Sequence, residues 1–83
     1  MDKNNANERN EQNIKELLLM EDSDFKMLNI KHQEYDQRLK ELNEMDFKTE
    51  DLLIEERNLK KEKLRIKDSM ERYIFDYKKN MYM

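Results

Sequence analysis

The sequence predicts an all-α protein: an antiparallel two-helix coiled-coil hairpin with a short N-terminal helix. Three observations carry this. Apolar residues recur at alternating spacings of three and four along two stretches, Phe25 to Leu42 and Leu52 to Tyr77. The chain has no Gly and no Pro, so it lacks the punctuation of strand hairpins. Charged residues of both signs make up 45% of it, and Leu, Lys, Glu and Arg recur, which is the composition of long exposed helices.

Residues 1–13 are rich in Asn and charge, with one small apolar residue, Ala6, after Met1. Too little can be buried there to order the segment, so a flexible tail is expected. From Ile14 the character changes. Ile14, Leu17 and Leu18 share a helical face that Leu19 and Met20 widen, predicting a short helix over 14–21. A helix of that length is marginal alone, so it must dock on the rest.

Asp22 or Ser23 offers an N-cap for a helix over 23–43. Its seam is Phe25, Leu28, His32, Tyr35, Leu39 and Leu42, a strict heptad pattern. Asn43 and Asp46 tolerate turn conformations, and Thr49 before Glu50 and Asp51 reads as a cap followed by dipole-favourable acids. A helix over 50–79 follows. Its seam is Leu52, Glu56, Leu59, Lys63, Ile66, Met70, Tyr73 and Tyr77, with Lys78 and Lys79 at the C-terminal end, where cations are favoured. The strongest stretch is Leu59 to Met70, where the stem of Lys63 fills the gap between Leu59 and Ile66. Residues 80–83 are expected to be a C-terminal tail.

Folding the second stretch back on the first gives partners whose numbers sum to about 94 or 95. Leu42 then meets Leu52, Tyr35 meets Leu59, Leu28 meets Ile66 and Phe25 meets Met70. Two layers are mixed, Leu39 with Glu56 and His32 with Lys63.

The pattern Phe25-x-x-Leu28-x-x-x-His32-x-x-Tyr35, with the run Leu59-Lys60-Lys61-Glu62-Lys63-Leu64-Arg65-Ile66-Lys67-Asp68, resembles the YdcH-like family of small bacterial proteins. The similarity covers roughly Leu17 to Lys79. Ile66 stands where Leu is usual, and Tyr35 where an apolar residue is usual. The resemblance implies a cytosolic helical hairpin and no activity, since the family's function is unknown.

Several chemistries are disfavoured. The chain has no Cys, which removes disulfides, thiol nucleophiles and Cys-ligated zinc. No apolar run approaches the roughly 20 residues of a membrane span, and no apolar signal-peptide core stands at the N-terminus. A single cytoplasmic domain is the expectation. His32 is the lone histidine, and its expected role is structural, bonded to a neighbour such as Glu62, because no carboxylate pair accompanies it at ligand spacing. Glu55 and Glu56 are adjacent on a helix and cannot face one another. No nucleotide motif occurs, and two helices offer no ordinary pocket. No catalytic residue, metal or cofactor is expected.

The net charge is −3, yet Arg57, Lys60, Lys61, Lys63, Arg65 and Lys67 crowd one stretch. This basic patch either pairs with Glu34, Asp36 and Glu41 of the first helix or binds nucleic acid or an anionic surface. Ile30, Leu53, Leu64 and Ile74 stand outside the seam as a candidate interface, with Ile54 beside them and Ile30 next to Leu64 in the register above. Tyr73, Phe75, Tyr77 and Tyr82 with Met81 and Met83 suit an adaptable binding surface, or pack against Ile14, Leu17 and Leu18. The expected function is a non-catalytic protein-interaction module. A homodimer of hairpins is favoured over a monomer in which residues 14–20 cover the apolar flank. Nucleic-acid or anionic-surface binding through residues 57–67 is the alternative.

Overall fold

The computed structural model describes the backbone of residues 3–81 and the side chains of residues 11–80. Among these residues the chain is all-helical: α1 (Lys3–Glu21), α2 (Ser23–Asn43) and α3 (Glu50–Met81), with no strand. Its extents are 51 × 32 × 17 Å. A helix with its side chains is about 10–12 Å across, so the molecule is less than two helices thick and each helix keeps a face in water.

α1 begins at Lys3, well before the Ile14 expected from composition. The stretch read as a tail to Asn13 is therefore helical from Lys3; Met1 and Asp2 lie outside the described residues. The physical reason is cooperativity. Ile14 and Leu18 are buried and fix a turn, and extending a nucleated helix costs far less than starting one. Nothing between Lys3 and Asn13 breaks it, because Gly and Pro are absent. At the other end α3 runs through Asn80 to Met81, beyond the expected end at Lys79; Tyr82 and Met83 lie outside the described residues.

One residue separates α1 from α2. Asp22 is extended (φ −115, ψ 110), and its Oδ1 accepts a hydrogen bond from the Phe25 N–H at 3.0 Å. Of the two caps the sequence offered, the chain uses Asp22, and Asp24 adds a favourable charge in the first turn. α2 ends without a left-handed residue: among the described residues no non-Gly residue has positive φ. The N–H groups of Glu44 and Met45 turn back to Lys40 O and Leu42 O at 3.1 and 3.2 Å. Thr49 then starts α3, its Oγ1 accepting from the Leu52 N–H at 3.3 Å and its carbonyl from the Leu53 N–H at 3.0 Å.

The apolar cluster joins all three helices. Ile14 and Leu18 of α1, Phe25 of α2, and Ile66 and Met70 of α3 are buried together, with Leu19, Leu28, Tyr35, Tyr73, Ile74 and Tyr77 packed around them. Phe25 is fully buried (0% exposed) and meets the Tyr73 ring edge-on at 5.9 Å. Leu42, also at 0%, is buried apart from this cluster, near the α2–α3 connection. Contacts between α2 and α3 join Phe25 to Tyr73, Asp36 to Lys63 and Arg38 to Glu55. α3 is the longer helix, and α1 packs where it extends past Phe25.

Candidate functional site

The residues expected at the seam are buried or half-buried, and so are Asn29, Asp36, Arg38, Glu55 and Ile74 outside it. Phe25, Leu42, Ile66 and Met70 are buried, and Leu28, His32, Tyr35, Leu39, Leu52, Leu59, Lys63 and Tyr73 are half-buried. The two mixed layers resolve sideways. Lys63 bonds Asp36, one turn on from His32, and the two sides of that layer face each other across a groove. Glu56 is held by Lys48 at 3.0 Å and Lys60 at 3.1 Å. Lys48, from the α2–α3 connection, was not singled out from the sequence, because a loop lysine carries no periodic signal.

A fork of charge crosses between α2 and α3. The Arg38 guanidinium donates from Nε and Nη2 to both Glu55 oxygens at 2.8 and 2.9 Å, and from Nη1 to Glu41 at 3.1 Å. Its hydrogen bonds hold the Glu55 carboxyl below the usual range. The Lys48 and Lys60 ammonium groups do the same for Glu56, and Lys63 for Asp36. These carboxylates are therefore kept ionised, the reverse of what a general acid needs.

The basic patch is exposed at Arg57, Lys60, Lys61, Arg65 and Lys67. Of its expected partners on α2, Asp36 is met by Lys63 of this stretch, and by Lys40, while Glu41 is taken by Arg38 on its own helix. Arg65 pairs with Glu62 at 3.3 Å, so Glu62 does not serve His32. Among the described residues, Arg57, Lys61 and Lys67 have no ion pair within 4 Å.

The candidate interface divides. Ile30 (37% exposed), Leu53 (53%) and Leu64 (59%) face water. Ile74 does not: it packs on the three-helix cluster, because α1 covers that side of α3. Ile30 also departs from the expected place beside Leu64. It lines a shallow depression with Gln33, Glu34, Gln37, Arg38 and Glu41, all residues of α2. The reason is angular: at about 100° per residue, Ile30 falls nearly opposite the α2 seam. The C-terminal aromatics divide too. Tyr73 and Tyr77 pack on the cluster, whereas Phe75 is 64% exposed.

The third helix makes a feature that two helices would not. Glu11, Gln12 and Lys15 of α1, His32 of α2, and Lys63, Lys67, Met70, Glu71 and Ile74 of α3 enclose an open groove of about 540 Å³. His32 is half-buried on its wall. Burial, then the Lys63 ammonium with smaller effects of Lys15 and Lys67, push its pKa below the ordinary 6.5 against the pull of Asp36. Among the described residues, no group of three or more His, Cys, Asp or Glu side chains gathers closely enough to hold a metal ion, and no helix is long and apolar enough to cross a membrane.

Comparison with known proteins gives a family match. The profile of a family described as a protein of unknown function (DUF465) matches residues 25–74. That span starts at the buried Phe25 and ends at Ile74, so it takes in α2 after its cap and most of α3, and leaves out α1. No curated protein and no solved structure matches the chain.

Proposed function

The chain belongs to the DUF465 family, the YdcH-like small proteins, and we propose that it is a non-catalytic, self-associating protein-interaction module of the cytoplasm, built on an antiparallel coiled-coil hairpin of α2 and α3. The observation that carries this reading is the apolar surface left outside the seam. Leu53, Leu64 and Phe75 are each more than half exposed on a helix whose seam is already occupied. These three share one face of α3 with charged side chains between them, a mixed surface that suits a contact better than isolated apolar residues do. Thinness supports it too. Two stripes and a docked helix bury little for a chain of 83 residues, and small cores of this kind gain stability by association.

The test is molecular mass by sedimentation equilibrium over the micromolar range, beside Ile30→Glu/Leu64→Glu. A concentration-dependent dimer in the wild type, weakened in the double variant with helicity intact, is expected. A wild type that stays monomeric throughout refutes the reading.

A second reading rests on Arg57, Lys61 and Lys67, which are exposed and unpaired among the described residues. They could meet phosphates of a nucleic acid. Such binding falls steeply with salt, and the net charge of −3 opposes it. Absence of binding to DNA or RNA at low salt removes this reading.

A further inference from the structure

The outer row of α3 has the same form read from either end. Stepping by four, three, four, four, three and four residues, it runs Leu53, Arg57, Lys60, Leu64, Asp68, Glu71, Phe75. Steps of three and four keep these residues on one helical face. Eleven residues separate Leu53 from Leu64 and Leu64 from Phe75. That repeat is close to three whole turns, so a nearly straight helix holds the row in line. All seven side chains are exposed. Apolar residues stand at the centre and at both ends, with cations in the first half and anions in the second.

We infer that this row docks on the same row of a second copy, the two α3 helices running antiparallel about a two-fold axis at Leu64. In a two-fold contact, if one residue meets another, the second meets the first in return. With the axis at Leu64, that residue meets its own counterpart. Leu53 meets Phe75 of the second copy, Arg57 meets Glu71, and Lys60 meets Asp68, each pair formed twice. Charge complementarity is therefore complete along the row. Arg57, Asp68 and Glu71 have no ion pair in their own chain among the described residues, so they are available for these partners. Lys60 holds Glu56 at 3.1 Å and lines a depression with Asp36, Leu39, Lys40 and Asn43 of α2, so in the pairing its exposed side chain turns outward to meet Asp68.

Alternative pairings of the row fail on the same residues. A parallel pairing sets Arg57 on Arg57 and Glu71 on Glu71. An antiparallel slip of one step sets Leu64 against Lys60 or Asp68. The contact from Leu53 to Phe75 extends about 33 Å along the helix. α1 borders its Phe75 end, where Glu11, Glu71, Ile74, Phe75 and Lys78 line a small cavity, and leaves Phe75 64% exposed. This pairing rests on the self-association proposed above and assigns its face and register.

The test uses the full chain, which has no cysteine of its own. Leu64→Cys is expected to form a disulfide-linked dimer on mild oxidation. Leu53→Cys and Phe75→Cys are expected to link to each other when mixed, and poorly to themselves. In sedimentation equilibrium, Arg57→Glu or Glu71→Arg should weaken the dimer about tenfold or more, since each reversal acts twice. Arg57→Glu/Glu71→Arg should restore it. All five positions are exposed, and unchanged helicity by circular dichroism excludes misfolding as the cause. A wild type that dimerises while Leu64→Cys fails to cross-link, or while the double reversal fails to rescue, overturns the register and leaves self-association standing. A wild type that is monomeric at all concentrations overturns both.

Discussion

Phe25→Ala tests the three-helix cluster most directly. Among the described residues Phe25 is one of two fully buried large side chains; it lies edge-on to Tyr73 at 5.9 Å and packs with Ile14 and Leu18 of α1 and Ile66 and Met70 of α3. Truncating a buried Phe costs about 3–5 kcal/mol, the aromatic pair included. A domain of 83 residues carries a total of about 4–12 kcal/mol at roughly 0.05–0.15 kcal/mol per residue. The variant therefore loses from about a quarter to all of the stability. With a urea slope of about 1–3 kcal/mol/M, the midpoint falls by about 1–5 M. The assay is urea denaturation followed by circular dichroism, at one fixed protein concentration because association adds apparent stability. Met27→Ala is the control. Met27 sits two residues away, is 54% exposed, and should cost no more than about 0.5 kcal/mol. A Phe25→Ala midpoint equal to that of Met27→Ala would refute the assignment of Phe25 to the core.

Two further outcomes follow from local geometry. Asp22→Ala removes the acceptor of the Phe25 N–H and should cost about 1 kcal/mol in the same urea assay; Asp22→Asn, which keeps an acceptor, should recover most of it, and equal losses in the two would show that the cap contributes nothing. His32 has its pKa lowered by burial and by the surrounding lysines, so its neutral form belongs to the folded state. Its contribution is complete above about pH 6.5 and is lost as pH falls through the lower folded value. The melting temperature of the wild type should therefore drop relative to His32→Gln below about pH 6.5, and an imidazole titration midpoint above 6.5 by NMR would contradict this.

The all-helical class was legible because a seam must repeat, and repetition is what a bare sequence displays. Leu28, Leu39 and Leu59 announce themselves by spacing, and they are turned inward. What escaped was whatever does not repeat. The N-terminal extent of α1 depends on docking at Ile14 and Leu18, which no composition of residues 3–13 encodes. The groove needs a third wall, and the direction from which α1 approaches is set at Asp22 alone. Ion pairs were legible in number and not in partner. Glu41 could reach α3 or its own helix, and Arg38, lying between, decided it by reaching Glu55 as well. Ile74 looked free on a wheel of α3 and is covered by a helix from elsewhere in the chain.

Asp22 also has a mechanical meaning. Helices α1 and α2 meet at a joint of one residue, so one pair of backbone angles sets the direction of everything before it. Its ψ is 110 where a helix would hold about −42°. Turning that bond to the helical value would join Lys3 to Asn43 in a single rod about 60 Å long. The rod would carry the apolar face of Ile14 and Leu18 away from its own Phe25 and open one wall of the groove. A neighbouring copy in the same state would offer an equivalent vacant cluster, which is the geometry of exchange between chains. In the folded chain, packing of Ile14 and Leu18 on Phe25, Ile66 and Met70 holds the angle that Asp22 sets.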